Sequence, residues 1–458
     1  MSQTKLDRSR APINNGAPEF HFPEAVRVNL ESGIPVYCIS DLTQPIVSVS
    51  LSFVNGAAEE TVSGISRFAM RLLTRGSQNY SADEFAERID ALGASLTCGA
   101  GWDSAEISLH VLSDHIEPAL DLMAEAALRP AFDTNEVDLL RRQTIADIHQ
   151  ILADADQLAG IAAARAIFSG HYYGRNRGGT LHSTDKFDAQ TARDRYQEIR
   201  RGGCFFTVAG NCTPDDAAAL LGKRFGELTP PATNTGNIVP EIMARRQVII
   251  VDKPGAMQAS LRMGTISVGH SHSDYSAVEL ACTALGGFFT ARLNRILREE
   301  KGYTYGAFSF HDAKKYAATL NAALSVNHDA TGESVKIVLD EIARMQHERI
   351  EAAEFSRARQ YLMGVFARNA ETTQQISQFV QTIKLFGLPD SYYSDFFRKV
   401  SSLTAEDVFA AQNRHFSPDN WAIIAVGESA TLAPQLQCLG EPKIVTAKEL
   451  VETDENSF

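Results

Sequence analysis

Apolar and polar residues alternate along VRVNLESGIPVYCIS and PIVSVSLSFVNG, within residues 26–56, with the two-residue period of pleated strands. The pattern then changes to a helical one from Gly64. A second helix is predicted from Ser81, whose hydroxyl suits an N-cap, with Asp83 and Glu84 in the first turn. It ends near Gly93, and SLTCGAGWDSAEISLHVL, residues 95–112, reads as paired strands. The succession returns later in the chain. RRQVIIVDK and ASLRMGTISVG read as strands, Asp274–Leu285 as a helix, Thr290–Gly302 as a second helix, and YTYGAFSFHD as strand. Ser81, Gly93 and Asp103 stand at one constant offset from Thr290, Gly302 and Asp312, which points to duplication. An amphipathic helix follows in each half, at His115–Leu128 and Glu333–His347. Each half then closes on a late strand and a glycine turn, in FFTVAGNCTPDD and WAIIAVGESA.

Between the halves, LTPPATNTGNIVPEIMARR is rich in Pro, Thr and Asn and lacks apolar periodicity, as a linker would. The expected organisation is an N-terminal extension over 1–20, a first half over 21–228, a linker over 229–246, a second half over 247–445 and a tail over 446–458. The fold class is α+β: two homologous halves, each of two similar αβ units with an antiparallel or mixed sheet covered by helices.

Composition narrows the function classes. Of 458 residues, 43 are Lys or Arg and 56 Asp or Glu, a formal net charge of −13, which argues against nucleic acid as a partner. No apolar run reaches the length of a membrane span, so no membrane partner is expected. The first residues, MSQTKLDRSRAPINNGAPEF, lack the hydrophobic core of a signal peptide. As written the chain is expected in the cytoplasm, or in the periplasm if a signal was removed. Six scattered cysteines without a C-x-x-C read as small buried hydrophobes, not as zinc ligands or disulfides.

One stretch concentrates candidate chemistry: LGGFFTARLNRILREEKGYTYG, Leu285–Gly306. Arg298 falls in the last turn of its predicted helix, where the dipole favours a cation. Gly302 suits the left-handed residue that ends a helix. On a strand that starts at once, Tyr303 and Tyr305 share a face and Thr304 points away. Arg298 and a tyrosine then meet at one surface. There a guanidinium can hold a peptide carbonyl or carboxylate, and a phenol can donate to a developing oxyanion. The same spacing also suits a capping arginine and packed tyrosines, so spacing alone leaves both readings open.

The stretch resembles the C-terminal-half signature of the insulinase/pitrilysin family of zinc peptidases, with its mitochondrial-processing-peptidase-like members. That family pairs an arginine with a tyrosine seven positions later, matched here by Arg298 and Tyr305. The resemblance extends over nearly the whole chain. SGIPVYCISDLTQPIVSVSLSFVNGAAEE is similar to the family's opening hairpin, FSGHYYGRNRGGT to its glycine-containing turn, and RYQEIRRGGCFFTVAGN to the strand that closes the first half.

The resemblance fails at one place. It implies His-x-x-Glu-His on the first helix, with two histidines on one face for zinc and a glutamate to activate water. In GISRFAMRLL the matching positions are Arg67, Met70 and Arg71. An arginine has no lone pair to give a metal, and a methionine cannot act as general base. The family's third ligand, a later glutamate, falls at Asp147 in QTIADIHQ. No catalytic zinc and no other cofactor is expected in this chain. Two outcomes are open for the vacated positions: an Arg–carboxylate pair that ties the two helices, or solvated charges, with Arg75 extending a basic stripe.

The resemblance implies a heterodimeric metallopeptidase that closes as a clamshell. This chain would be its zinc-less subunit, inactive alone. A homologous partner subunit would hold zinc, while Arg298 and Tyr305 would bind and stabilise an unfolded peptide substrate. The alternative is a catalytically inactive structural or peptide-binding relative. Lesser candidates are weaker. His270 and His272 form an H-x-H that reads as a polar turn, since no further His or Cys lies near in sequence. His311 reads as a strand-end residue, and His171, Tyr172 and Tyr173 as turn packing. Gly178-Gly179 and Gly286-Gly287 lack the frame of a phosphate loop.

Overall fold

In this computed structural model the described residues are Ser9, 20–231 and 246–454. Most of the expected N-terminal extension and linker lies outside them. The first half builds one six-stranded sheet from β1 (Val26–Asn29), β2 (Pro35–Ser40), β3 (Ile46–Phe53), β4 (Ser95–Ala100), β5 (Ala105–Leu112) and β6 (Cys204–Gly210), in the order β1-β2-β6-β3-β5-β4. The second half repeats it with β7 (Gln247–Asp252), β8 (Ala259–Ser267), β9 (Ala307–Ala313), β10 (Ala318–Val326), β11 (Ala422–Gly427) and β12 (Lys443–Thr446), ordered β12-β7-β11-β8-β10-β9. In both, one central pair is parallel, β2 with β6 and β7 with β11, and the next three pairings are antiparallel. The outer edge differs. β1 runs antiparallel to β2, whereas β12 arrives from the end of the chain parallel to β7. The expected α+β duplication is therefore present. The further division of each half into two units is not, because one continuous sheet spans each half.

Helices cover the sheets. In the first half these include α1 (Ile65–Leu72), α2 (Ala82–Ala91), α3 (Ile116–Leu128), α4 (Thr134–Ala153) and α5 (Ala155–Ile167). Ser81 caps α2 in a reciprocal capping box with Glu84, as its position suggested. The strand predicted to begin at Tyr303 starts instead at Ala307. The helix before it is interrupted: Thr283–Gly287 and Arg295–Glu300 have wide π-type turns, and Ala291, not Thr290, precedes the regular turn Arg292–Asn294.

The halves exchange helices. α5 of the first half lies on β8 and β11, its Leu158, Ala159, Ala162 and Ile167 joined to Ile249, Val251, Ile424 and Val426. The helix Thr373–Phe386 of the second half lies on β3 and β6. The residues expected as a tail carry structure too. Helix Ala447–Glu452 packs on α4 and α5, and the fully buried Arg165 donates to the Leu450 and Thr453 carbonyls, each at 3.1 Å. Five of the cysteines are at least partly buried and free, as expected, while Cys438 is exposed.

Candidate functional site

α1 carries the first set of candidate residues, and its start is tightly built. Gly64 sits at φ +82°, and a Cβ there would fall 2.5 Å from the Gly179 backbone. The Gly178-Gly179 pair is thus a close crossing of two backbones beneath a helix start. The buried Glu60 accepts from the Gly64 and Ser66 amides at 2.7 and 3.0 Å. It supplies the acceptors that free helix N–H groups need. Burial pushes its carboxyl above the usual range, against the lowering effect of those two bonds. Beyond the start, Met70 is fully buried in the core, while Arg67 is exposed and Arg71 half-buried.

Asp147 comes from α4 to face this helix. Arg71 Nη1 stands 3.5 Å from Asp147 Oδ2, a single long contact with the carboxylate 61% exposed. One turn on, Arg75 pairs with Glu136 at 3.1 Å and donates to Gln143 at 2.6 Å. Of the two outcomes left open, a tie between the helices is the one seen, but its shorter contacts are Arg75's. The solvated stripe suggested for Arg75 is not what forms. Arg67 has no hydrogen-bond or ion-pair partner among the described residues. Arg67, Arg71 and Asp147 border a cleft of about 280 Å³ floored by Phe68, Ile148 and Ile151.

The second set lies around the turn 301–306. Gly302 has φ +69° and ends the helix as predicted. Arg298 lays its guanidinium 3.5 Å over the Phe289 ring and donates to Glu299 at 2.8 Å. Tyr303 donates to Glu333, which also takes Lys301. Tyr305 is 93% exposed, and its hydroxyl has no partner among the described residues. The structure therefore keeps Arg298 and Tyr305 on the same segment but does not join them. Phe289, Phe308 and Phe310 are also exposed, the last two on β9, an edge strand.

Residues 36–180 match the family described as Insulinase (Peptidase family M16), and residues 186–362 match its companion, the Peptidase M16 inactive domain. This chain belongs to the insulinase family, M16. The M16 chain is 23% identical over 355 residues to the uncharacterized zinc protease YmxG of Bacillus subtilis, covering 76% of this chain and 85% of that one. It is 26% identical over 315 residues to the uncharacterized zinc protease ML0855 of Mycobacterium leprae, covering 66% and 69%. It is 19% identical over 381 residues to the non-peptidase homolog YmxG of Helicobacter pylori, covering 82% and 88%. In fold it resembles the crystal structure of a peptidase M16 inactive domain from Pseudomonas fluorescens, with a TM-score of 0.81 at 23% identity, covering 88% and 98%. No helix among the described residues is long and apolar enough to cross a membrane.

An M16 zinc centre does not fit the residues present. Two guanidinium groups and a buried thioether occupy the helix positions, and the remaining carboxylate is already near Arg71. A second place gathers metal-type side chains in this M16 chain. His272, Asp274 and His415 have ligand-capable atoms within 4.8 Å of one another. His415 arrives from far along the chain, which local spacing could not reveal. The facing atoms already have protein partners, however. Asp274 accepts from Arg414 at 2.9 Å and lies 2.8 Å from His415 Nε2, and His272 Nδ1 accepts the Asp274 amide at 3.0 Å. His270 and His311, read as turn and strand-end residues, are packed groups. His270 Nδ1 lies 2.7 Å from the Tyr392 hydroxyl, and His311 Nδ1 lies 3.0 Å from Glu279. Burial, with His311 beside it, holds the His270 ring down to about 4. Tyr172 and Tyr173 do more than pack a turn, since both hydroxyls donate to Asp103, at 3.2 and 2.7 Å.

Proposed function

We propose that this chain is the zinc-less subunit of a paired M16 peptidase. The observation that carries the reading is the face of α1, where guanidinium groups stand at Arg67 and Arg71 and Met70 is sealed in the core. A homologous partner subunit would supply the metal and the group that activates water. This chain would supply Arg298 and Tyr305. Stacking on Phe289 limits where the Arg298 side chain can swing, and its remaining N–H groups can grip a peptide carbonyl. The unpartnered Tyr305 hydroxyl is free to donate to an oxyanion formed on a bound substrate. An unfolded peptide would add as a strand at a sheet edge, where main-chain bonding tolerates varied sequence. The exposed Phe308 and Phe310 of β9 offer apolar contact beside such a strand.

The reconstituted pair tests this. Tyr305→Phe should lower peptide turnover by about 10²–10³-fold, the usual cost of one oxyanion donor, with subunit assembly unchanged. Full turnover by that variant sinks the assignment. One observation favours a second reading, a peptide-binding relative without a catalytic share: Arg298 engages Glu299 and Phe289 and makes no contact with Tyr305. Under that reading the pair cleaves peptides equally well with Tyr305→Phe, and only substrate affinity changes.

A further inference from the structure

The cleft that stands in place of a zinc centre has a chemistry of its own. Its rim carries Arg67 and Arg71, one helical turn apart on α1, against a single carboxylate, Asp147. It is thus locally cationic in a chain of net charge −13. Arg67 is exposed and unpartnered among the described residues. Arg71 gives Asp147 one contact at 3.5 Å, which leaves most of its five N–H donors unused. Unspent guanidinium groups at i and i+4 lie on one helix face and both line the cleft, so each can offer a planar fork to a ligand there. Phe68, Ile148 and Ile151 form an apolar floor directly beside them.

We infer that this cleft binds the C-terminal carboxylate of a peptide, with the last side chain resting on the apolar floor. Three features choose that ligand. A carboxylate matches a guanidinium fork with two parallel hydrogen bonds. Asp147 at the rim repels a dianion more strongly than a monoanion, which disfavours phosphate. The volume of about 280 Å³ suits the end of an extended chain and not a folded partner. The inference rests on the chain meeting peptides. It needs neither a partner subunit nor cleavage, so it can fail while the paired-peptidase reading survives, and the reverse.

Fluorescence anisotropy on the full-length protein tests it, with a labelled unstructured peptide ending in a free leucine carboxylate and its C-terminally amidated twin. The free acid should bind at least about tenfold more tightly than the amide, the worth of a charge-assisted hydrogen-bond pair. Arg67→Ala should weaken the acid by a similar factor and leave the amide unchanged. Arg67→Lys, which keeps the charge but loses the fork, should fall between. Equal affinity for acid and amide overturns the inference. So does an Arg67→Ala loss shared equally by both peptides, or binding of neither peptide. Inorganic phosphate competing more tightly than the free-acid peptide also overturns it, in favour of a general anion site.

Discussion

The two halves hold each other through reciprocal helices, and the two seams are made of different material. Under α5 the contact is apolar and close. Alanines and Leu158 meet Ile249, Val251, Ile424 and Val426, and a Cβ on Gly264 would fall 2.5 Å from Ile167 Cδ1. Its rim is charged, where Asp156 takes Ser260 and Arg262 at 3.1 and 2.7 Å, and at the far end of α5 the buried Arg165 donates to the C-terminal helix. Under the helix Thr373–Phe386 the sheet presents hydroxyls. Ser48 meets Thr373 at 3.0 Å, Thr207 meets Ser377 at 2.8 Å, and Gln381 donates to Glu106 at 2.9 Å. Apolar contact on this side lies in a cluster that joins Ile39 and Ala209 of the sheet and Val380 and Ile383 of the helix to Phe22, Phe366 and Tyr393. Burial of apolar area is non-directional and stabilises roughly in proportion to area. Buried hydrogen bonds add little net free energy but penalise any misregister, because a stranded polar group loses its water without replacement. One seam therefore supplies adhesion and the other alignment.

The largest test of this contrast is Leu158→Ala in α5, a fully buried position. Truncation there should cost about 2–5 kcal/mol in urea-induced unfolding. A loss below about 1 kcal/mol would remove the claim that adhesion lives at this seam. Acid should act next, and on the other side. His270 packs against Phe386 and Tyr392, where the exchanged helix returns to its own half. Its folded-state pKa of about 4 lies below the ordinary 6.5, so the unfolded chain binds the extra proton between those values. Stability should therefore be complete above about pH 6.5 and fall as pH drops toward about 4, by up to about 3 kcal/mol. His270→Gln should flatten that acid limb in pH-dependent thermal melts. An unchanged slope would show that other groups govern it.

How much of this was legible in the sequence follows the range of the interactions. Strand periodicity, the Ser81 cap, the Gly302 helix end and the duplicated succession are local, and each appears in the structure. That Arg67, Met70 and Arg71 offer no zinc-donor side chain on α1 depends on residue identity alone and so is read directly from the sequence. The alternating serines of β3, IVSVSLSF, resemble a strand with one face in water. Both faces are in fact buried, because Thr373 covers Ser48 from 325 residues away. No window of sequence contains both partners. The same holds for His415 beside Asp274 and for Glu136 beneath Arg75. Glu60 as the acceptor for the start of α1 had a local signal, an acid four residues before Gly64, that the helix pattern alone did not raise. The Tyr303–Gly306 turn was missed because Thr304 bonds across it to Gly306, a local competitor to strand pairing.

A smaller effect should come from the polar seam itself. Gln381→Ala removes a donor shared by Glu106 and Thr207 and should cost about 1–3 kcal/mol. Replacing both partners of a neighbouring pair, Thr207→Val with Ser377→Ala, should cost less, since the two hydroxyls leave together and Gln381 keeps its bond to Glu106 while losing one N–H partner. If that double change costs as much as Gln381→Ala, the seam depends on hydroxyl bonding for adhesion and the division between the seams fails.

The smallest effect is expected at the α1–α4 tie, which lies just before α5. The Arg71–Asp147 contact is long and largely in water, so Asp147→Ala should cost no more than about 0.5 kcal/mol. Arg75 is better placed, with Glu136 at 3.1 Å, both about a quarter exposed, and Gln143 at 2.6 Å, so Arg75→Ala should cost about 1 kcal/mol. Raised salt should weaken the first pair more than the second, because exposed charges are screened more fully. The order of the two losses is the informative quantity. If Asp147→Ala costs more than Arg75→Ala, the Arg71–Asp147 pair is the main link between the helices, and Arg71 is a structural brace. If the order holds, Arg71 and Asp147 do little to hold the helices together, and α4 is held by its neighbour α5 and the apolar seam. Arg67 and Arg71 are then free to meet a ligand.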